Sequence, residues 1–344
     1  MTAEELCRRA AVLPRVSLAT LPTPMTEVPR FAEWVGRGIR MFLKRDDLTD
    51  MGLGGNKLRK LEFSLGAARA EGCDVVVHGL AGQSNYCRQT AAAAARVGMP
   101  CYLVLRRDHK TEDPPQANRL LDYVFGAEVR MAADRGEQDA VKAELVERLR
   151  HKGHRPYVIG RRDEVLGAVA YALCMAEIAE QMDRLDVEAD TISVSGRAGT
   201  QAGLVLGRRL LGTRAAILGF QVSPESSAEA SQRMSRQCAD IAADAARLLG
   251  VEEEFTTDDV HNTDIYGGPE YGEPSARCLE TLLALGRTEG LVVGPVYAAK
   301  GLSGVVDFVR SGAIEEGRTV VFVHTGGAVE TFAYNTEIME HLSR

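Results

Sequence analysis

The chain alternates between short apolar runs and longer stretches in which apolar positions recur with helical spacing. The short runs are rich in valine, isoleucine and leucine, and they predict buried strands at 75–78, 101–105, 127–131, 156–159, 191–195, 216–220 and 320–324. The longer stretches predict helices over 91–97, 137–150 and 167–181. Alternating strands and helices indicate βαβ units, so we expect an α/β fold built on open parallel sheets.

Length and charge narrow the class of protein. The chain has 344 residues, which is enough for about two domains. Its 41 Lys+Arg and 48 Asp+Glu give a net charge of −7, so the basic face of a nucleic-acid-binding protein is not expected. Apolar runs such as 90–97 are far shorter than the ~20 residues of a membrane-spanning helix. We therefore expect neither a nucleic-acid nor a membrane partner.

The cysteines and the N-terminus indicate a cytoplasmic enzyme. No pair of cysteines has C-x-x-C spacing, so the sequence predicts neither a zinc site nor a thioredoxin-type motif. Their odd number, seven, in a long chain indicates reduced thiols. The first residues are charged and lack the apolar segment of a signal peptide.

A glycine-rich segment, 52–55, precedes a predicted helix that begins near Lys57. A lysine in the first turn of a helix is unexpected, because the helix dipole favours anions there. The position suits a lysine that is masked as an imine or that faces a phosphate. A solvated lysine after a flexible loop explains the pattern equally well.

Further candidate positions follow other predicted strands. Ser84 or Asn85 can cap the next helix, or can help to bind a carboxylate at the end of a parallel strand. The glycine-rich turn at 196–203 has the layout of a phosphate cradle but is not a Walker A loop. The turn at 324–327 and Tyr297 have ordinary structural explanations, a tight turn and core packing. The irregular loop at 256–274 is long enough to be functional.

Taken together and in this order, the motifs resemble the pyridoxal-phosphate (PLP) enzymes of fold type II, the tryptophan synthase β type. Within them the chain is most similar to the branch of D-cysteine desulfhydrase and 1-aminocyclopropane-1-carboxylate (ACC) deaminase. The resemblance rests on the segments 21–24, 44–47, 54–60, 83–85, 156–159, 288–290, 295–297 and 324–327. It implies two αβα domains with the active site between them: a large domain from 1–55 plus 165–344, and a small inserted domain over 56–164.

The resemblance also implies roles in binding the cofactor, PLP. Lys57 corresponds to the lysine that holds PLP through an imine and then moves the substrate's Cα proton. Lys60 corresponds to a phosphate ligand, and Thr325 to the residue near the pyridine nitrogen. The residues corresponding to the loop around the phosphate are Gly196, Arg197, Ala198, Gly199 and Thr200.

The substrate site implied by the resemblance lies around 83–85. Asn85 corresponds to the residue that binds the 3′-oxygen of the cofactor as well as substrate. Ser84 corresponds to the serine that contacts the substrate carboxylate and relays a proton. Gln83 and Tyr271 are expected to bind substrate, and Tyr297 is expected to be both a substrate-binding and a catalytic residue.

The implied activity is β-elimination from a small amino acid by a PLP-dependent lyase. D-cysteine, giving sulfide, pyruvate and ammonia, is the preferred substrate, and the enzyme is expected to be a homodimer. Cysteate, which would release sulfite, and ACC remain alternatives. A cysteine-synthase-like β-replacement and a PLP-binding protein without activity are two further classes.

Three departures from the family pattern affect the substrate. Ala298 stands where ACC deaminases carry a glutamate, and Arg197 replaces a small residue in the phosphate loop. The segment 160–164 is Gly-Arg-Arg-Asp-Glu where the family usually has small residues. We therefore hypothesise that Arg161 or Arg162 binds a second anionic group on the substrate, because a guanidinium matches such groups bidentately. The alternative is a solvated pair balanced by the two acids that follow.

Overall fold

The computed structural model describes residues 1–196, 198–222, 228–263, 265–268 and 270–343. The helices in these ranges are α1 (Ala3–Ala10), α2 (Pro29–Val35), α3 (Lys57–Ala70), α4 (Asn85–Val97), α5 (Ala117–Val124), α6 (Arg135–His151), α7 (Arg161–Arg184), α8 (Gly199–Leu211), α9 (Ala228–Leu248), α10 (Ala276–Glu289), α11 (Ala298–Ser311) and α12 (Asn335–Leu342). The strands are β1 (Met25–Glu27), β2 (Arg40–Lys44), β3 (Val75–His78), β4 (Cys101–Arg106), β5 (Glu128–Ala132), β6 (Pro156–Val158), β7 (Thr191–Ser195), β8 (Ala216–Phe220), β9 (His261–Thr263) and β10 (Thr319–Val323). Short 3₁₀ helices lie at Asp46–Leu48, Met51–Leu53, Thr257–Asp259 and Ala328–Tyr334.

The strands form two sheets. The larger has six strands in the order β1-β2-β10-β7-β8-β9, and the smaller has four in the order β5-β4-β3-β6. Every pair is parallel except β1 with β2, which is antiparallel. The crossings between the parallel strands are helical, so the predicted α/β class is confirmed.

The seven predicted strands are present, and the structure adds β1, β2 and β9. These three were missed for physical reasons. β1 and β9 have three residues each and mostly polar side chains, and β9 pairs only at the edge of the sheet. β2 has a short apolar run between two basic residues. Gly98 ends α4 in the left-handed conformation, as predicted (φ 72°).

Helix α7 lies in the interior and packs against α3 and α8. By length and composition it could cross a membrane, with a mean hydropathy of 1.3 over its most apolar window, but 72% of that window is buried inside the protein. Such burial is typical of a core helix. The same helix begins at Arg161, so the predicted domain boundary at 164/165 falls in its first turn.

Loops that carry candidate site residues follow the carboxyl ends of strands from both sheets. The segment 83–85 comes after β3, the glycine-rich loop 196–200 after β7, and the turn 324–327 after β10. Parallel α/β sheets bind ligands at this edge. The fold thus directs the predicted motifs of the two sheets toward one another.

Candidate active site

Lys57 is the first residue of α3, and the backbone around it is built for a close approach to α4. Gln89 of α4 accepts hydrogen bonds at its Oε1 from the backbone N–H groups of Lys57 (3.0 Å) and Leu58 (3.2 Å). A Cβ at Gly55, where φ is +127°, would lie 2.5 Å from the Gln89 side chain. Gln89 therefore caps α3 from another helix, and only glycine fits beside it.

The turn after β10 lies against the same point. The backbone N–H of Asn56 donates to the Thr325 carbonyl (3.0 Å). A Cβ on Gly326, where φ is +100°, would lie 2.9 Å from the Cα of Gly55. Two glycines thus allow the loop before Lys57 to contact the 324–327 turn, which places Thr325 near the start of α3.

A buried ionic network anchors the first turn of α3. Arg59 donates to both carboxylate oxygens of Asp46 (2.9 Å each) and to Glu177 of α7 (2.7 and 2.8 Å). Lys44 donates to the same glutamate (2.7 Å) and Tyr171 to Asp46 (2.6 Å). Arg59 and Asp46 are almost fully buried, so the pair is costly unless every partner is present. The network fixes the orientation of Lys57, two residues away.

The Lys57 amine is poised to react near neutral pH. Its Nζ lies 5.5 Å from the centroid of the Tyr86 ring. Burial, followed by repulsion from Lys60, lowers the pKa of Lys57 to about 7, against the opposing attraction of Glu164. A lysine with such a pKa is about half uncharged at pH 7 and mostly uncharged at pH 8, so it is available as a nucleophile.

The predicted phosphate loop forms the entry to α8. Gly199 is the first residue of this helix, and Ala198 before it has φ 61°, a backbone region that favours glycine. Asn56 donates from Nδ2 to the Thr200 hydroxyl (3.3 Å), so this loop also touches the start of α3. Lys60 is 1% exposed and ion-pairs with Glu164 (2.9 Å). Gly196 is described, with φ +112°, whereas Arg197 lies outside the described residues.

The segment after β3 carries a serine whose hydroxyl caps α4. Ser84 Oγ accepts from the backbone N–H groups of Tyr86 and Cys87 (3.2 Å each). Gln83 is occupied otherwise: its amide donates to the Lys110 and Gln116 carbonyls (2.8 and 3.1 Å) and accepts from the Asn118 N–H (3.1 Å). Its side chain therefore braces the loop before α5, and direct contact with substrate stays a prediction.

Asn85 faces a buried carboxylate that the sequence did not single out. Its Nδ2 donates to Glu330 Oε1 (2.5 Å), and its Oδ1 accepts from Asn118 (2.9 Å). Glu330 is 1% exposed, and its second oxygen has no hydrogen-bond partner among the described residues. Burial raises the pKa of Glu330 to about 8, although Arg88 and Asn85 favour the charged form. At neutral pH this carboxyl is therefore mostly protonated.

Two tyrosines of the 256–274 loop and the start of α11 form a pair. The hydroxyls of Tyr271 and Tyr297 lie 2.5 Å apart, and their rings pack edge to face with centroids 6.0 Å apart. Lys300, one turn after Tyr297, donates to the carbonyls of Gly267 and Glu270, which holds the loop carrying Tyr271 against α11. Burial and the neighbouring Tyr297 raise the pKa of Tyr271, so its hydroxyl keeps its proton.

A cavity of about 470 Å³ lies between Ser84 and the tyrosine pair, and Lys57 is not among its lining residues. Ser84 lines it from the side of the small sheet, and Tyr271 and Tyr297 line it from the other side. Leu80 and Ala81 form an apolar part of the wall. Another part is polar and mostly basic, and consists of Arg106, Arg135, Gln138, Asp139 and Lys142. The cavity is thus a cleft between the two halves of the fold with a serine, a tyrosine pair and a basic stretch.

Arg161 and Arg162 are not brought to this cavity. Arg161 is exposed at the first position of α7. Arg162 ion-pairs with Glu71, at the end of α3 opposite to Lys57, and both side chains are about half exposed (57% and 44%). Such an exposed pair is worth little free energy. A role for either arginine in substrate binding stays a prediction, and this geometry lends it no support.

Comparison with known proteins assigns the family. The pyridoxal-phosphate dependent enzyme family matches residues 16–326, which is most of the chain. The chain belongs to this family. It is 36% identical over 338 residues to a D-cysteine desulfhydrase of Serratia proteamaculans (strain 568), covering 97% of this chain and 99% of the relative. It is 35% identical over 329 residues to one of Salmonella newport (strain SL254), covering 94% and 97%.

Solved structures agree with this assignment. An ACC deaminase homologue superposes with a TM-score of 0.85 at 34% identity, covering 98% of this chain and 99% of the other. An O-ureido-L-serine synthase superposes with a TM-score of 0.64 at 15% identity, covering 91% and 92%, and this likeness concerns the fold alone. The predicted fold type II, the family branch and the PLP cofactor are thereby confirmed.

The donor set of the cleft fits PLP. A lysine amine with a pKa of about 7 suits covalent attachment of an aldehyde. A buried lysine and the N-terminus of α8, entered through a glycine-rich loop, suit a phosphate. Asn85 and Thr325 lie next to the same turn, where Gly327 would place a Cβ 3.5 Å from Asn85 Nδ2.

Glu330→Gln should remove a pH-dependent part of the stability. The folded protein raises the pKa of this carboxyl to about 8 from 4.5, so it binds a proton that the unfolded chain releases. The stabilisation is therefore complete below about pH 4.5 and is lost as the pH rises through about 8. Between about pH 5 and about pH 9, the free energy of unfolding of wild type should fall relative to the variant by ~3–5 kcal/mol.

Urea unfolding of both proteins across this range measures that difference. The exposed Glu316, changed to glutamine, is the control and should follow wild type at every pH. A difference between wild type and Glu330→Gln that does not vary with pH would contradict the raised pKa.

Proposed function

We propose that the protein is a PLP-dependent lyase that eliminates the Cβ substituent of a small amino acid, with D-cysteine as substrate. Two observations carry the proposal: the lysine amine with a pKa of about 7 at the start of α3, and the cavity lined by Ser84 and the Tyr271–Tyr297 pair. The near-full-length similarity to two D-cysteine desulfhydrases supports this substrate.

PLP, when bound, draws electrons from the substrate Cα and so makes the Cα–H bond acidic. The Lys57 amine takes that proton, a role for which a pKa of about 7 is well matched. Elimination then breaks the Cβ–S bond. The sulfur departs as sulfide, and water hydrolyses the three-carbon product to pyruvate and ammonia.

The other residues bind and orient the substrate. Ser84 and the positive N-terminus of α4 hold the substrate carboxylate. With PLP bound, Asn85 would hold the 3′-oxygen of the cofactor, Lys60 and the 196–200 loop would hold its phosphate, and Thr325 would lie near its ring nitrogen. Tyr271 has a raised pKa and keeps its proton, and the hydroxyl pair that it forms with Tyr297 can donate a proton to the departing sulfur.

An amino-acid panel tests this function. The purified enzyme is given D-cysteine, L-cysteine, D- and L-cysteate and ACC, and also O-acetylserine with sulfide. Pyruvate, 2-oxobutyrate, sulfide, sulfite and cysteine are measured. We expect the highest kcat/KM for D-cysteine, with sulfide and pyruvate formed in equal amounts. Formation of cysteine from O-acetylserine at a higher rate, or no product from any substrate, would contradict the proposal.

Cysteate is a second candidate substrate because basic side chains line the cavity. Arg106, Arg135 and Lys142 all border it, and Lys142 also pairs with Asp139 (2.9 Å). A sulfonate in place of the thiol would be attracted by this basic stretch. Release of sulfite faster than sulfide in the same panel would favour cysteate.

Assembly, location and domain division complete the proposal. We propose a cytoplasmic location, in keeping with seven cysteines that form no disulfide. We also propose a homodimer, and sedimentation velocity measures this assembly. We also propose a large domain of 1–55 plus 165–344 and a small domain of 56–164. The four strands of the smaller sheet, 75–158, all lie within the second range.

A further inference from the structure

Glu164 accepts hydrogen bonds from two groups that, in the proposed function, would bind the phosphate of PLP. Its Oε2 accepts from the Lys60 ammonium (2.9 Å) and from the backbone N–H of Gly199 (3.0 Å). Gly199 is the first residue of α8, so this N–H is one of the free donors at the N-terminus of the helix. A single oxygen of Glu164 thus occupies both Lys60 and the Gly199 N–H, the two donors that a phosphate oxygen would use.

The surrounding backbone is shaped for this contact. A Cβ on Gly199 would lie 2.2 Å from the Glu164 carbonyl oxygen, and one on Gly167 would lie 2.8 Å from Lys60 Cδ. Asp163 fixes the first turn of α7, since it accepts from the Gly160 N–H (2.7 Å) and from the Tyr157 hydroxyl (2.9 Å). Glu164 is therefore held beside the loop by the fold.

Glu164 is negatively charged in this position. Burial opposes the charge, but Lys60, Lys57 and the hydrogen bonds from Lys60 and Gly199 outweigh it and lower the pKa of Glu164 to about 2. A lysine ammonium has three hydrogens to donate, whereas a backbone N–H has one. A phosphate can thus share Lys60 with Glu164, but it must take the Gly199 N–H from it.

We propose that Glu164 competes with the cofactor phosphate for the Gly199 N–H, so that PLP binds by exchange of one anion for another at this donor. The Glu164 side chain is 26% exposed and can turn toward water when the phosphate arrives. The cofactor is consequently held more weakly than by the same loop without this charge. The proposal rests on the proposed function, in which this loop binds the phosphate of PLP.

Equilibrium binding tests the competition without using activity. Protein stripped of cofactor is titrated with PLP and, separately, with pyridoxal, which lacks the phosphate, and the visible absorbance is followed. Glu164→Gln keeps the shape of the side chain and removes its charge. Because hydrogen bonds to charged groups are worth about 1.5–3 kcal/mol, we expect PLP to bind this variant about 10- to 100-fold more tightly. At a pH well above 7, where the Lys57 amine is uncharged with or without the Glu164 charge, pyridoxal should bind both proteins equally.

Glu71→Gln is the matched control, since Glu71 pairs with Arg162 at the other end of α3 and should leave both affinities unchanged. If Glu164→Gln does not fold by circular dichroism, Glu164→Ala replaces it with the same expectation. Unchanged or weaker binding of PLP, or an equal gain for pyridoxal, overturns the competition. Failure of the wild type to bind PLP at all would overturn the proposed function instead.

Discussion

Replacing Lys57 with alanine is expected to lower turnover at least about 10³-fold and to remove the visible absorbance of covalently bound cofactor. The variant loses the amine that attaches PLP and moves the Cα proton, and the neighbouring amine of Lys60 is held by Glu164. Absorbance spectra after addition of PLP, together with kcat/KM for the best substrate of the panel, measure both effects.

The fold should tolerate this change. The cap on α3 involves the backbone N–H of Lys57 and not its side chain. Because burial and Lys60 lower the pKa of Lys57 to about 7 from 10.5, folding displaces a proton at neutral pH, and alanine removes that cost. The variant should therefore melt no earlier than wild type. Lys152→Ala, at the exposed C-terminal end of α6, should keep both the spectrum and the rate. A Lys57→Ala protein that retains the absorbance band would contradict the assignment.

The fold and the main positions of the site were predictable because they depend on local sequence. A buried parallel strand needs a continuous apolar run, and β3, β4, β8 and β10 each have one. The loops that follow β3, β7 and β10 carry glycines and hydroxyls next to a helix start. Since parallel strands end at one edge, their order along the chain suffices to predict a shared site.

The carboxylates of the site were not predictable in this way. Glu330 lies in a 3₁₀ helix whose sequence has no recognisable motif. It becomes a site residue only because Asn85, which follows a strand of the smaller sheet, contacts it. Glu164 appeared as a solvent-facing acid in a charged loop, but α7 begins three residues earlier and turns it toward Gly199. The contact between Glu164 and the glycine-rich loop joins residues that are far apart in the chain. The spacing of residues along the sequence therefore does not predict it.

The charged loop also shows how the start of a helix determines the direction of each side chain. Arg161 and Arg162 follow β6 at a position from which the resemblance implied contact with substrate. The helix that starts there directs Arg162 toward Glu71, while the acid two residues later faces the site. Residues two apart on a helix point in different directions, by about 200°. Knowing where the first turn begins therefore decides which charge enters the cleft.

Ser84→Ala is expected to retain bound cofactor while kcat/KM falls about 10²- to 10⁴-fold, as for loss of a positioned acid–base group. The serine is buried, lines the cavity with Tyr271 and Tyr297, and lies at the N-terminus of α4. Its hydroxyl also caps this helix, so the variant should lose about 1 kcal/mol of stability. The spectrum, kcat/KM and the free energy of unfolding are measured on one preparation.

A second serine separates capping from catalysis. Ser275 caps α10 through the Cys278 N–H (3.3 Å) and does not line the cavity. Ser275→Ala should therefore lose a similar amount of stability and keep its rate. Ser84→Thr, which retains a hydroxyl, should recover part of the activity lost in Ser84→Ala. The contrary outcome is that Ser84→Ala and Ser275→Ala lose the same stability and both turn over at the wild-type rate. In that case Ser84 acts only as a helix cap, and the substrate carboxylate binds elsewhere in the cleft.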